Sequence, residues 1–203
     1  MQWLSLKTEH SVGFFGNLGI VIMRWLRQPA GDPLTVSMSS IKLGDRLLMI
    51  GGSDVGLIAA LAGKAGLTGR TCLVDESESI TSRSARMVER EGALIESFTA
   101  PYASLPFEAE AFDVVVIRSV LRMLSAERRS QLSLEAHRVL RPGGRCICIE
   151  GSPRTGLSAL FGGGLVASAA GIEASLTTVG FRGARTLAER AGLTFVEGVK
   201  SGR

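Results

Sequence analysis

Short apolar runs alternate with amphipathic stretches from residue 46 onward, which is the pattern of a chain that alternates strands and helices. Strands are predicted at 46–50, 71–74, 94–98, 112–117 and 146–150. Helices are predicted at 56–67, at 80–88 with Gly92 as the stop, and from a Ser125 cap to Pro142-Gly143-Gly144. The run FDVVVI at 112–117 is rich in β-branched residues, as in a buried parallel strand.

The last part of the chain has a different pattern. Residues 182–200 read as two strands joined at 189–192, which predicts a β-hairpin. Together with the alternating strands and helices, this indicates an α/β fold with right-handed crossovers and helices on both faces of one sheet. Residues 151–171 are small, apolar and glycine-rich, and both a mobile loop and a packed helix fit them.

The first forty residues form a separate unit in this interpretation. Residues 12–27 place Phe14, Leu18, Ile22, Trp25 and Leu26 near one helical face. A break at QPAGDP follows. We therefore expect an N-terminal helical cap at 1–40 and one domain at 41–203. The apolar face of the cap predicts a wall over an acceptor pocket, while a membrane surface or a second subunit in a homodimer stay open as alternatives.

Composition narrows the classes of partner. The net charge of the 203 residues is only +4 and the arginines are dispersed, so no nucleic-acid partner is indicated. Three cysteines without a CxxC spacing fit reduced thiols in a cytoplasmic protein. Two isolated histidines are too few for a metal cluster. No secretory signal or membrane-spanning stretch is expected.

The candidate chemistry begins at LLMIGGSDVG, where a strand runs into a glycine turn and then a helix. Backbone at Gly51 and Gly52 can approach a ligand closely, and the helix that follows starts with free amides. Asp75 ends the next strand, 24 residues after Gly51, where a carboxylate can accept both hydrogen bonds of a ribose diol. This combination of loop and acid is common to dinucleotide and other nucleoside cofactors.

Motifs further along the chain distinguish between these classes of cofactor. LPFEAEAFDVVV, then SVLRML, then EAHRVLRPGGR, and finally the hairpin resemble the class I S-adenosylmethionine-dependent methyltransferases that act on small molecules. The resemblance covers about 41–200, and VLRPGGR with FDVVV upstream is its most specific part. It implies a Rossmann-like, doubly wound, seven-stranded sheet in the order 3-2-1-4-5-7-6 with the last strand antiparallel. A nicotinamide-dependent oxidoreductase shares the loop and the acid but not these motifs.

The resemblance also implies a set of cofactor-binding residues. Loop residues would border the methionine and ribose parts of S-adenosylmethionine, Asp75 would hold the ribose hydroxyls, and residues near 101 would lie beside the adenine. Residues after the fourth strand would face the methionine end and the methyl acceptor. The expected cofactor-binding residues are Gly51, Gly52, Ser53, Asp75, Glu76, Pro101, Tyr102, Arg118 and Ser119. No metal is implied, and neither the acceptor nor a catalytic base is identified, although Glu9 and His10 are candidates for the base.

The sequence departs from the family at several polar anchors. Met49 stands where an acid is usual, Ser53 and Val55 replace glycines, and Pro101 replaces an acid beside the adenine. The alternative interpretation is therefore a degenerate methyltransferase-fold protein that binds the cofactor weakly or not at all. Such a protein would serve as a scaffold or partner subunit.

Overall fold

A computed structural model describes residues 32–151 and 168–202. The strands are β1 (Arg46–Ile50), β2 (Arg70–Asp75), β3 (Glu96–Thr99), β4 (Phe112–Arg118), β5 (Leu140–Gly151), β6 (Phe181–Arg190) and β7 (Leu193–Lys200). The helices are α1 (Pro33–Met38), α2 (Val55–Ala65), α3 (Glu78–Arg90), α4 (Ala126–Val139) and α5 (Ala169–Thr178), with a 3₁₀ turn at Leu121–Met123.

The seven strands form one sheet in the order β3-β2-β1-β4-β5-β7-β6. β1 pairs in parallel with β2 and β4, and β3 and β5 extend the parallel pairing on either side. β7 is antiparallel to both β5 and β6. The predicted strand order and the antiparallel last strand are confirmed.

The central strands β1, β2 and β4 bury both faces, which is why they carry almost no polar residues. In β1, Leu47 and Met49 point to one apolar cluster with residues of α2 and α3. Leu48 and Ile50 point to the other, with residues of α4 and α5. Helices therefore cover both faces of the sheet, as the sequence predicted.

The helix boundaries follow capping chemistry. Asp54 accepts a hydrogen bond from Leu57 N at the start of α2, and Ser125 accepts one from Arg128 N at the start of α4, as predicted for Ser125. Asp32 caps α1, a short helix that the break at QPAGDP did not predict. Proline at the first helical position explains it, because a missing N–H costs nothing there.

The predicted stop at Pro142-Gly143-Gly144 lies inside a strand instead. Helix α4 ends at Val139 and β5 begins at Leu140, so no separate loop precedes the predicted strand at 146–150. The residues between Leu140 and Arg145 bulge out of register with β4. This bulge accommodates the glycines while the chain already runs alongside β4.

The turn of the terminal hairpin consists of two residues. Ala191 and Gly192 have φ values of 53° and 73° between paired Arg190 and Leu193. Two successive positive φ angles match the twist of the flanking strands and define a type I′ turn. The predicted hairpin is therefore present, with β6 and β7 joined at 191–192.

The amphipathic face predicted for residues 12–27, with the base candidates Glu9 and His10, lies outside the described residues. Of the small-residue stretch, only Gly151 and the part from 168 onward are described, and α5 begins at Ala169. Among the helices that the structure describes, none combines the length and the apolarity needed to cross a membrane.

Candidate functional site

A cavity of about 500 Å³ opens at the carboxyl ends of β1, β2 and β4. Ligands of parallel α/β sheets bind at this edge, where the strand order changes direction. Its lining residues come from five segments of the chain: Gly51, Ser53, Asp75, Glu76, Ser77, Ile80, Tyr102, Arg118, Ser119, Val120, Met123, Leu124 and Arg128.

The turn after β1 is held from both sides. Gly51 has φ +97°, and a Cβ there would lie 2.5 Å from the carbonyl oxygen of Arg118. Gly52 N donates to Asp75 Oδ2 at 2.9 Å, and the carbonyl oxygen of Gly52 accepts from the Ser84 hydroxyl at 2.6 Å. Only glycine tolerates the conformation and the close approach at position 51, so the loop keeps its shape despite the irregular motif.

Asp75 ends β2 with only 7% of its surface exposed. Its two oxygens accept from different amides, Oδ2 from Gly52 N at 2.9 Å and Oδ1 from Ser77 N at 3.0 Å. A carboxylate has about four acceptor sites, and the Tyr102 hydroxyl also hydrogen-bonds to Asp75, so acceptor capacity for about one further donor remains. Asp75 thus fixes the loop and still presents a charged acceptor to the cavity.

Glu76 forms a second polar cluster in the cavity. Its Oε1 accepts from Tyr102 N at 3.0 Å and pairs with the guanidinium of Arg128, in the first turn of α4. Burial opposes ionisation of Glu76, but hydrogen bonds from Arg128 and Tyr102 outweigh it and hold the pKa of this carboxyl below its ordinary value. Burial and the charges of Asp75 and Glu76 raise the pKa of the Tyr102 hydroxyl, which therefore stays protonated.

The residues after β4 lie at the opposite end of the cavity. Arg118 Nε donates to Asp54 Oδ2 at 3.1 Å, and its Nη1 donates to the Ser119 hydroxyl at 2.9 Å. Asp54 also caps α2 by accepting from Leu57 N. Ser119 has φ +56°, a left-handed conformation that is costly for a residue with a Cβ. Such a conformation beside a cavity is common at functional sites.

Glu150 supports this end from below. It is 1% exposed, its Oε1 accepts from Leu121 N at 2.8 Å, and its buried Oε2 has no hydrogen-bond partner among the residues that the structure describes. Burial raises the pKa of this carboxyl, and the backbone hydrogen bonds from Leu121 and Val120 and the nearby guanidinium groups of Arg122 and Arg118 only partly offset that effect. Glu150 therefore anchors the 3₁₀ turn that carries Met123 to the cavity rim.

Seven of the nine predicted site residues line this one cavity. Gly52 lies just behind it, and Pro101 is exposed outside it; the lining members are Gly51, Ser53, Asp75, Glu76, Tyr102, Arg118 and Ser119. Arg128 was not predicted. No sequence spacing marks it, because its partner Glu76 lies 52 residues away.

A second cavity of about 480 Å³ lies at the opposite, amino edge of the sheet. Its walls include the exposed Leu67 and Leu94 and the Arg70–Glu96 ion pair. Both charges of that pair are already matched, and the glycine loop is at the other edge. The carboxyl-edge cavity is therefore the candidate site.

Other chemistries find less support in the described part of the chain. Between 32 and 151 and between 168 and 202, no three His, Cys, Asp or Glu side chains cluster as metal ligands. Cys72, Cys146 and Cys148 are free and buried. Burial raises the pKa of Cys72 to about 11, so this thiol is not a nucleophile at neutral pH.

Comparison with known proteins adds sequence evidence to the geometry. A family model described as "Methyltransferase domain" matches residues 48–148, from β1 through most of β5. The ubiquinone/menaquinone biosynthesis C-methyltransferase UbiE of Escherichia fergusonii is 29% identical over 118 residues. That match covers 57% of this chain and 46% of the relative, so the chain spans about half the length of the curated relatives it matches.

Solved structures share the fold at lower identity. A SAM-dependent methyltransferase from Aquifex aeolicus superimposes with a TM-score of 0.71 at 18% identity, covering 88% of this chain and 97% of that one. The [4+2]-cyclase SpnF superimposes with a TM-score of 0.67 at 17% identity, covering 84% and 79%. Because one of these proteins is named as a cyclase, the shared fold alone does not determine which reaction a protein catalyses.

Proposed function

Because the chain belongs to the class I S-adenosylmethionine-dependent methyltransferases, whose cofactor is S-adenosylmethionine, we propose that it transfers a methyl group to a small-molecule acceptor. The observation that carries the proposal is the position of Asp75. This buried carboxylate ends β2, is held by the glycine loop, and keeps acceptor capacity toward a cavity at the carboxyl edge.

The residues present fit the cofactor. The cavity volume of about 500 Å³ lies within the usual range for small-molecule sites, about 300–1,000 Å³. The remaining acceptor capacity of Asp75 suits a ribose hydroxyl, and Gly51 lines the cavity beside it. Tyr102 and Glu76 would lie beside the adenine of the cofactor, and Arg118 and Ser119 would lie beside its methionine end.

S-adenosylmethionine supplies an electrophilic methyl group, so the protein has to bind, orient and exclude water rather than activate the donor. Asp75 would fix the ribose. Gly51 would let the backbone of the loop approach the cofactor closely. Val120, Met123 and Leu124 line the cavity with apolar surface that disfavours water near the reacting atoms. Among the described residues, we assign no general base.

The acceptor class rests on the relatives. The curated matches are named as C-methyltransferases of ubiquinone and menaquinone biosynthesis, which supports a small-molecule acceptor here. The acceptor wall at 1–40, the membrane or dimer alternatives and the cytoplasmic location stay predictions.

Calorimetric titration of the intact protein with S-adenosylmethionine and S-adenosylhomocysteine tests the proposal. We expect saturable binding of both with one site per chain. Methyl transfer can then be followed with radiolabelled cofactor against quinone-precursor phenols as probes. The proposal would be contradicted if the protein bound neither S-adenosylmethionine nor S-adenosylhomocysteine.

The second candidate function is a scaffold or partner subunit with the methyltransferase fold. It is favoured by the internal use of backbone donors, since Tyr102 N donates to Glu76 and Leu57 N donates to Asp54. A ligand would have to compete for the first of these donors. The same titration separates the two functions, because a scaffold protein would show no saturable heat with either compound.

A further inference from the structure

Glu76 and the main chain of Tyr102 place an acceptor beside a donor at the wall of the cavity. The distance from Tyr102 N to Glu76 Oε1 is 3.0 Å, and Arg128 holds the same carboxylate from the other side. About a third of the Glu76 side chain is exposed, and its Oε2 carries no hydrogen bond from any residue that the structure describes. The carboxylate therefore has acceptor capacity to spare toward the cavity.

This pair has the polarity of one particular base edge. Adenine presents the ring nitrogen N1, an acceptor, next to the exocyclic amine at C6, a donor. A backbone N–H and a carboxylate at hydrogen-bond distance from each other offer the complementary donor and acceptor. Tyr102 N donates to Glu76 Oε1, so N1 would compete with Oε1 for that N–H, whereas Oε2 can accept from the amine.

Other carboxylates near the cavity are less suited to that task. Asp75 is almost fully buried and binds Gly52 N and Ser77 N, so it faces the sugar side of the site. Position 101 is proline and carries no acceptor in its side chain. Arg128 keeps Glu76 ionised, and an ionised carboxylate is the stronger acceptor for an amine.

We propose that Glu76 recognises the exocyclic amine of adenine and thereby determines the base specificity of the site, with Arg128 as its positioning residue. The inference rests on the proposed binding of S-adenosylmethionine. Recognition of the adenine would then fall to Glu76, on the β2 side of the cavity. Glu76 directly follows Asp75, the residue proposed to bind the ribose.

The test is a binding cycle with two ligands and two proteins. The ligands are S-adenosylhomocysteine and its purine analogue, which lacks only the 6-amino group. The proteins are the wild type and Glu76→Ala, with Glu78→Ala as the matched control, because Glu78 is an exposed acid near Glu76 that does not line the cavity. Affinities are measured by calorimetry, and thermal melting checks that each variant folds.

Removal of the amine should weaken binding to the wild type and to Glu78→Ala by about tenfold to a hundredfold, as expected for a hydrogen bond to a charged group. For Glu76→Ala, the same ligand change should alter affinity by less than about threefold. An equal loss in both proteins, or tighter binding of S-adenosylhomocysteine by Glu76→Ala, overturns the inference while the proposed function stands. Absence of wild-type binding overturns both.

Discussion

Replacing Asp75 with alanine should weaken cofactor binding and also loosen the glycine loop. The carboxylate accepts from Gly52 N at 2.9 Å and from Ser77 N at 3.0 Å, so it connects the end of β2 to the turn after β1. Alanine removes both acceptors and leaves two amides at the wall of the cavity. Water entering the cavity would satisfy them only in part.

The expected size of the effect follows from these contacts. A hydrogen bond to a charged group contributes about 1.5–3 kcal/mol, so with partial rehydration the free energy of unfolding should fall by about 3 kcal/mol. For a chain of this length, that lowers Tm by about 6–12 °C. The lost ribose contact should weaken S-adenosylhomocysteine binding by about tenfold to a hundredfold.

Asp113→Ala is the matched control. Asp113 lies at the amino end of β4 and accepts from Arg46 N at 2.7 Å, from the Arg46 side chain and from Arg141, so its loss should cost comparable stability. It does not line the cavity, and its removal should leave S-adenosylhomocysteine affinity within about threefold of wild type. Urea denaturation and calorimetry measure the two quantities. Wild-type affinity in Asp75→Ala would refute the assignment of Asp75 to the ribose, and Asp75→Asn, which keeps one acceptor oxygen, should give an intermediate loss.

Three further changes test the backbone and the buried carboxylates. Gly51→Ala should lower the free energy of unfolding by about 2 kcal/mol or more, because Gly51 has a φ of +97°. Its control is Gly63→Ala, inside α2 with open space around it, which should raise that free energy by about 0.5–1 kcal/mol. Urea denaturation measures both changes. Burial opposes ionisation of Asp113, but the hydrogen bonds from Arg46 and Arg141 outweigh it and lower its pKa from 3.8 to about 2. Its stabilisation should therefore be present above pH 3.8 and be lost as the pH falls through about 2, and Asp113→Asn should lack that dependence. For Glu150, whose pKa burial raises above its ordinary 4.5, wild-type stability should decline as pH rises above 4.5, and Glu150→Gln should remove the decline.

The sheet could be predicted because its signals are local. The run at 112–117 is apolar enough for burial on both faces, and the 182–200 hairpin carries its own turn residues. The strand order came from the resemblance to the family rather than from periodicity. The bulge at Leu140–Arg145 was missed because a proline-glycine sequence reads as a loop unless the neighbouring strand is known to run beside it.

The site could be predicted only in part. The place of Asp75 at the cavity could be predicted because its spacing from Gly51 is a property of one strand-turn-helix-strand unit. The contacts of Glu76 with Tyr102 and Arg128 join three segments 26 and 52 residues apart, and such pairings depend on how the elements meet in space. The role of Arg118 was open between an ion pair and a ligand contact, and its guanidinium pairs with Asp54 while still lining the cavity.

The irregular glycine motif costs the site less than the sequence suggests. Of the loop residues, Gly51 alone has positive φ, and it is retained. Ser53 is exposed, and Val55 is simply the first residue of α2, so neither position requires glycine. The departures at Ser53 and Val55 therefore leave the backbone of the loop intact. The departures at Met49 and Pro101 remove polar side chains instead, and we predict that cofactor binding rests on the carboxylates of Asp75 and Glu76 that remain beside the loop.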